Sequence, residues 1–259
     1  MVIAIVLAAG NGKRMNSDVA KQYIKLYDKE IVVYPLETFQ NNKIIDKIII
    51  VTREDDIEYC KNELVNRYNL SKVSDVISGG KERYDSVYRA LCLIEEKYLE
   101  DNSASDEVQD DILDEYDRNH VIVMIHDGAR PFISDEMIGD SVKTAKEFGA
   151  CTVGVPVKDT IKIIDDDNFG IDTPERKNLY QIQTPQTFRF DILKQAHDKF
   201  RENKNHKITD DTMLVEQYKG VCCKVIMGAY ENIKVTTPED MEVAECYGKK
   251  YLKKNKKMC

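Results

Sequence analysis

Lysine and arginine recur in this sequence beside glycine and other small residues, a pairing suited to holding phosphate groups. The segment Leu7-Ala8-Ala9-Gly10-Asn11-Gly12-Lys13-Arg14-Met15 is followed by Lys21-Gln22. Small residues directly after an apolar run let backbone N–H groups approach a triphosphate, and Gly10 and Gly12 can take positive φ. Arg14 and Lys21 then supply fixed cations. The GxxxxGK(S/T) order of a Walker A loop is absent, and the GxGxxG dinucleotide spacing fails at Met15. Alone, an ordinary Gly-rich turn with solvated basic side chains explains this segment equally well.

Two further segments carry similar chemistry. Gly79-Gly80-Lys81-Glu82-Arg83-Tyr84-Asp85-Ser86-Val87 reads as a glycine turn entering a helix, which exposes unpaired N–H groups near Ser86 and suits a base or a phosphate. His126-Asp127-Gly128-Ala129-Arg130-Pro131-Phe132 places a carboxylate just beyond a buried strand, where Asp127 can hold Mg2+ directly or through water. Arg130 reads equally well as a structural clamp on Asp127, and His126 as a satisfied core histidine. Later pieces are Pro156 to Lys162, Arg176, Gln183-Thr184-Pro185-Gln186, Thr209-Asp210-Asp211 and Asn232 to Thr236. Each has a bland account: Thr184-Pro185 as a turn, Thr209 as a helix N-cap, Lys234 as a strand-edge charge.

These segments need elements to position them. A continuous apolar run at Val2–Ala8 predicts a buried parallel strand, Lys47–Val51 and Val121–Ile125 predict further buried strands, and strands are also expected at Cys151–Val157 and, shorter, at Val73–Ile77. Helical patterns fill the intervals at Pro35–Gln40, Glu54–Tyr68, Arg83–Leu99 and Asp135–Phe148, and follow at Phe190–Glu202, Asp210–Tyr218 and from Pro238 onward. Strands are also expected at Cys222–Met227 and Ile233–Val235. Alternation of strand and helix predicts an α/β, Rossmann-like fold: a mostly parallel sheet with helices on both faces. Lys158 to Gln183 is polar with short β-prone pieces and predicts a protruding β-arm. The chain is expected to form one domain over 1–259, with ligands bound beyond the strands' carboxyl ends, after Ala8, Ile77, Ile125 and Val157.

Composition narrows the partners. The formal net charge of −8 disfavours a nucleic-acid binder, because a duplex would repel such a surface. Seven scattered cysteines give neither a disulfide framework nor a zinc pattern, which suggests reduced thiols and a cytoplasmic protein. No apolar stretch is long enough to span a membrane, and no signal-peptide pattern follows Met1.

In combination, LAAGNGKRM…KQY, GGKERYDSV, HDGARPF, PVKDTIK, QTPQTF, TDD and NIKVTTPED occur in the order found in the 2-C-methyl-D-erythritol 4-phosphate cytidylyltransferase family. The resemblance runs from Leu7 to about Glu245, and seven ordered segments are far more specific than any one. It implies that Leu7, Ala8, Ala9, Gly10 and Gly12 hold the CTP triphosphate, with Arg14, Lys21 and Lys234 as the catalytic cations. It places Gly80 and Ser86 near cytosine and ribose, and Asp127 near ribose and Mg2+. It also implies a homodimer in which Thr160 and Arg176, on an arm at about 158–183, hold the sugar-alcohol phosphate in the neighbouring subunit, with Thr184 in the same region.

Three departures stand out: Ala20 where the family usually has proline, an acidic insertion at about 100–117, and a lysine-rich tail. Ribitol-5-phosphate cytidylyltransferases share the fold and several segments, but GGKERYDSV and HDGARPF match the methylerythritol family more closely. A nucleotide-binding module without catalysis is the alternative of another class. Arg14, Lys21 and Lys234 count against it, since a binder has less need of cations at the scissile phosphate.

Overall fold

A computed structural model describes residues 1–10, 21–99, 120–202 and 207–255, the side chains of residues 21 and 250–255 excepted. Gly12, Arg14, Ala20 and the acidic insertion lie outside the described residues. The strands are β1 Val2–Ala8, β2 Lys25–Leu26, β3 Lys29–Glu30, β4 Lys47–Thr52, β5 Val73–Ser78, β6 Ile122–Asp127, β7 Ala150–Pro156, β8 Ile163–Ile164, β9 Gly170–Asp172, β10 Tyr180–Arg189 and β11 Lys224–Met227. The helices are α1 Val33–Asn41, α2 Ile57–Tyr59, α3 Arg83–Tyr98, α4 Asp135–Phe148, α5 Phe190–Glu202, α6 Asp211–Lys219 and α7 Pro238–Asn255.

Seven strands form one sheet in the order β11-β7-β10-β6-β1-β4-β5. Every neighbouring pair is parallel except the two that β10 makes, with β6 and with β7. Side chains alternate across each strand, so both faces of the apolar runs are used. Ala4, Val6, Ile48, Ile50 and Met124 pack with Leu36 and Phe39 of α1 and Ile138 and Val142 of α4. On the other face Ile3, Ile5, Ile49, Val51 and Ile125 pack with Val87, Leu91 and Ile94 of α3, Leu193 of α5 and Leu214 of α6. The expected mostly parallel sheet with two helical layers is therefore what the sequence builds. A third, smaller cluster joins Leu26 and Ile31 by the β2–β3 hairpin to Phe132, Val235 and Ala244 of α7.

Several local expectations change. Gln183 to Phe188 reads in sequence as a turn with flanking polar residues, yet it is the middle of β10, inside the main sheet. Its polar side chains find internal partners: Gln183 Nε2 donates to Ala229 O (2.8 Å) and Gln186 Nε2 to Asp210 Oδ2 (2.8 Å). Pro185 has no N–H to contribute, and the β10–β7 register shifts between Ile182 and Gln186. The return leg of the excursion, Tyr180 to Gln183, thus belongs to the main sheet, and the exposed part is the β8–β9 hairpin with its flanks. Ile233–Val235 is not a strand: Val235 N–H goes to Ala129 O (2.9 Å), not to a sheet neighbour. The N-cap of α6 is Asp210, whose carboxylate accepts from Met213 N–H, in place of Thr209. Glu54 to Tyr68 is helical but mixed, a 3-10 turn at Glu54–Asp56 and α2 leading into a π-helical stretch at Cys60–Asn66.

Candidate active site

Strand order reverses beside β1. From β1 the chain moves outward through β4 to β5, then returns to place β6 on the other side of β1. A crevice must open at the carboxyl ends of β1 and β6, where the loops leave in opposite directions. The register sets Leu7 opposite Asp127 there, and Gly128 N–H donates to Leu7 O (2.9 Å). Leu7, Ala9, Gly10, Gly80, Ser86, Asp127 and Lys234, drawn from four separate segments, line one cavity at this point. Ala8 is buried behind it, its carbonyl accepting from Gln22 Nε2.

The glycine pair after β5 serves packing. A Cβ on Gly79 would lie 2.6 Å from Ala9 Cβ and 2.8 Å from Ser86 Oγ, so only glycine lets this loop touch the loop after β1. The expectation of unpaired N–H groups does not hold at the two glycines. Gly79 N–H donates to Thr52 O (2.6 Å) and Gly80 N–H to Ser86 Oγ (3.0 Å). Ser86 is buried and closes the turn, and a capping box between Glu82 and Asp85 begins α3.

Asp127 is buried and held from the backbone outward. Its N–H donates to Thr184 Oγ1 (3.1 Å), which lies 3.2 Å from His126 Nδ1, while His126 Nε2 sits 3.0 Å from Arg130 O. A carbonyl only accepts, so Nε2 carries the imidazole proton and Nδ1 accepts from the Thr184 hydroxyl. Burial lowers the His126 pKa to about 4, so the ring is neutral near pH 7 and acts as a strut. Thr184 therefore supports Asp127 from behind and does not line the cavity.

The Asp127 carboxylate faces three cations: Lys234 Nζ at 2.7 Å, Arg83 Nε at 3.6 Å and Arg130 Nε at 3.9 Å. Burial alone would raise its pKa, but Lys234, Arg83 and Arg130 outweigh burial and hold it far below the usual carboxylate range. Arg130 is indeed a clamp, since its Nη1 also donates to Asn232 O (2.7 Å). Asn232 Nδ2 in turn donates to Thr184 O (2.9 Å), and Val235 is buried in the third cluster. Lys234 is thereby aimed into the cavity from a segment pinned on both sides.

Sequence reasoning missed Arg83 and Asp211. Arg83 lines the cavity and pairs with Asp211, which is fully buried at the start of α6. Burial opposes a charged guanidinium, but Asp211 and Asp127 outweigh it and hold the Arg83 pKa above its ordinary value. One signal was present: Arg83 opens α3, where the helix dipole disfavours a cation unless carboxylates face it. Thr160 and Arg176 stand elsewhere, on the exposed excursion, where Arg176 Nη1 donates to Lys158 O (2.9 Å). Lys21 lies in the 3-10 turn Lys21–Tyr23, its side chain outside the description. Among the described residues no three His, Cys, Asp or Glu side chains converge as a metal site, and no helix is long and apolar enough to cross a membrane.

The family model for IspD, 2-C-methyl-D-erythritol 4-phosphate cytidylyltransferase, matches residues 2–102 and 103–250. A protein of that name from Clostridium botulinum (strain Eklund 17B / Type B) is 45% identical over 95% of this chain and 98% of its own length. One from Clostridium perfringens (strain SM101 / Type A) is 44% identical over 96% of this chain and 99% of its own. Among solved structures, 4-diphosphocytidyl-2C-methyl-D-erythritol synthase from Anaerococcus prevotii DSM 20548 superposes with a TM-score of 0.75, at 31% identity and covering 96% of each chain. By sequence, by fold and by the loops that meet at the β1–β6 crevice, the chain belongs to the 2-C-methyl-D-erythritol 4-phosphate cytidylyltransferase family.

Proposed function

We propose that this chain transfers CMP from CTP to 2-C-methyl-D-erythritol 4-phosphate, giving 4-diphosphocytidyl-2-C-methyl-D-erythritol and pyrophosphate in non-mevalonate isoprenoid synthesis. The observation that carries this reading is the cationic ring of Lys234, Arg83 and Arg130 around Asp127, beside the small-residue loop after β1. A phosphate oxygen of the acceptor attacks the α-phosphorus of CTP, a new P–O bond forms, and the bond to the β-phosphate oxygen breaks with its electron pair leaving on pyrophosphate. The acceptor oxygen is already anionic, so no general base is needed, which agrees with a neutral, buried His126. The barrier lies in bringing anions together, and fixed cations lower it by stabilising charge that develops on the α-phosphoryl oxygens.

In this reading Arg14, Lys21 and Lys234 meet the α-phosphate, Lys234 keeping its contact with Asp127 while another of its three N–H donors reaches the nucleotide. Leu7, Ala8, Ala9, Gly10 and Gly12 hold the triphosphate by backbone groups, and Gly80 and Ser86 border the base and ribose. Mg2+ is the expected metal. One buried, ionised carboxylate, without further converging ligands among the described residues, suits an ion that takes its other ligands from phosphate oxygens and water, so Asp127 would hold it. When bound, the ion supplies neutralisation of phosphate charge. Thr160 and Arg176 bind the sugar-alcohol phosphate in the site of a partner subunit. Ile163, Ile164, Phe169 and Ile171, exposed on the β8–β9 hairpin, support an arm that packs on another copy. One nucleotidyltransferase domain over 1–259, with the arm shortened to about 158–179 by the start of β10 and a surface insertion at about 100–117, acting in the cytoplasm, completes the proposal.

Pyrophosphate release from CTP and Mg2+ tests it. Adding 2-C-methyl-D-erythritol 4-phosphate should start turnover, and ribitol 5-phosphate should support much less. The reverse preference would replace the acceptor while keeping the class; no turnover with either would leave a nucleotide-binding module.

A further inference from the structure

Arg83 sits between two carboxylates that the sequence keeps 84 positions apart: Asp127 at the cavity and Asp211 at the first residue of α6. Its Nη1 donates to Asp211 Oδ2 and its Nε lies 3.6 Å from Asp127 Oδ1. The other Asp127 oxygen, Oδ2, is the one that holds Lys234 at 2.7 Å. Asp211 is itself fixed. Its N–H donates to Gln186 Oε1 (3.1 Å) on β10, and its Oδ1 faces the buried His197 Nε2 at 3.6 Å. The line His197, Asp211, Arg83, Asp127, Lys234 thus runs from beneath the sheet to the ammonium in the cavity.

Stability alone explains such a line poorly. Removing charges from water costs several kcal/mol per ion, and apolar residues of similar size often serve a core as well or better. What a buried ion pair does give is orientation. Arginine presents separate N–H donors in a rigid fork, so it can face two carboxylates at once, which a lysine ammonium on a flexible stem does less well. Here one tine of the fork is tied to the buried Asp211 carboxylate, and the other lies 3.6 Å from Oδ1 of Asp127, an ionic contact on the oxygen opposite the one that meets Lys234.

We propose that Arg83 is a positioning residue for the cytidylyl-transfer site: anchored by Asp211, it orients the Asp127 carboxylate and through it Lys234. It acts on the reaction by way of Asp127 and not by touching the nucleotide. Because it lines the same cavity, direct contact with phosphate is the competing role, and a purely structural role is the other. The inference rests on the proposed activity, and the two fail separately. An inactive wild type would refute the activity, whereas the inference is judged by variants of an active enzyme.

The test is a double-mutant cycle between Arg83→Gln and Asp127→Asn in the full chain, with kcat for pyrophosphate release, KM for CTP and thermal midpoint measured for each. Arg83→Gln alone should lower kcat by roughly 100-fold, the scale of a misplacement of about an ångström. In the Asp127→Asn background the same change should cost less than about 3-fold, because the group through which Arg83 acts is already lost. Arg83→Lys should recover only part of the wild-type kcat. Losses that multiply would overturn the proposal in favour of independent contact with substrate. So would an unchanged kcat, or a full recovery by lysine. If Arg83→Gln does not fold, the same cycle is run with Arg83→Lys, which keeps the charge Asp211 needs and is judged by the same criterion.

Discussion

Lys234 reaches the cavity with its Nζ 2.7 Å from a carboxylate held ionised by neighbouring cations, so it is oriented before any nucleotide arrives. Removing that group should therefore act on the chemical step. Lys234→Ala is expected to lower kcat by about 100-fold or more, as for loss of one preorganised donor at developing charge, while the protein stays folded, Arg83 and Arg130 still facing Asp127. A near-normal kcat would remove Lys234 from the mechanism. A second expectation concerns His126, whose pKa falls from 6.5 to about 4 on burial. The unfolded chain binds a proton below pH 6.5 that the folded chain refuses until about pH 4. Its contribution is thus complete above pH 6.5 and shrinks as pH falls towards 4. In urea unfolding without metal, the wild type should lose about 2 kcal/mol more than His126→Gln between pH 7 and pH 5; equal losses would show that the ring is not held neutral. Asp127 was legible from its place just beyond a buried strand, whereas Lys234 read alone as a strand-edge charge and gained a role only through the family resemblance. Arg83 and Asp211 were not, because their pairing spans 128 residues and exists only once α3 and α6 lie against the same sheet.

At the scale of elements, the parallel strands were readable because Val2–Ala8 and the stretches 48–51 and 122–125 are apolar throughout, as strands covered on both faces tend to be. β10 broke that rule. Its Gln and Thr side chains look like loop chemistry until their buried partners on β6, on the chain after β11 and at the α6 cap are known. Ile233–Val235 failed the other way: a β-prone triplet whose backbone is claimed by the loop after β6. The turn after β5 was placed correctly, but the packing role of Gly79 was not foreseen, since contact with Ala9 is invisible before β1 and β5 come together in one sheet. That contact is testable. Gly79→Ala puts a methyl 2.6 Å from Ala9 Cβ, and neither neighbour is the loose end of a long side chain. Overpacking of this kind costs about 1–3 kcal/mol, and it should part the two loops that line the cavity. A lower thermal midpoint together with a raised KM for CTP is expected; an unchanged KM would mean that the loops tolerate separation.

For the whole molecule, the cavity and the excursion pose one question. Thr160 and Arg176 lie on the exposed excursion, while Asp127 and Lys234 lie at the crevice between β1 and β6. β10 stands between β6 and β7 in the sheet, so the chain leaving β7 emerges two strands away from that crevice. Two identical chains exchanging arms about a twofold axis would give each crevice an arm from its neighbour, and the exposed isoleucines and Phe169 would be covered in the process. This arrangement makes a quantitative forecast. Arg14→Ala and Arg176→Ala chains are each expected to be nearly inactive alone. Unfolded together in equal amounts and refolded, they should form about half hybrid dimers, each with one site carrying both changes and one carrying neither. Activity should then return to about a quarter of the wild-type value. If Arg14 and Arg176 of the same chain served one site, every site in a hybrid would carry one change and mixing would restore nothing. A silent mixture that still forms dimers by light scattering would therefore confine the acceptor site to a single chain.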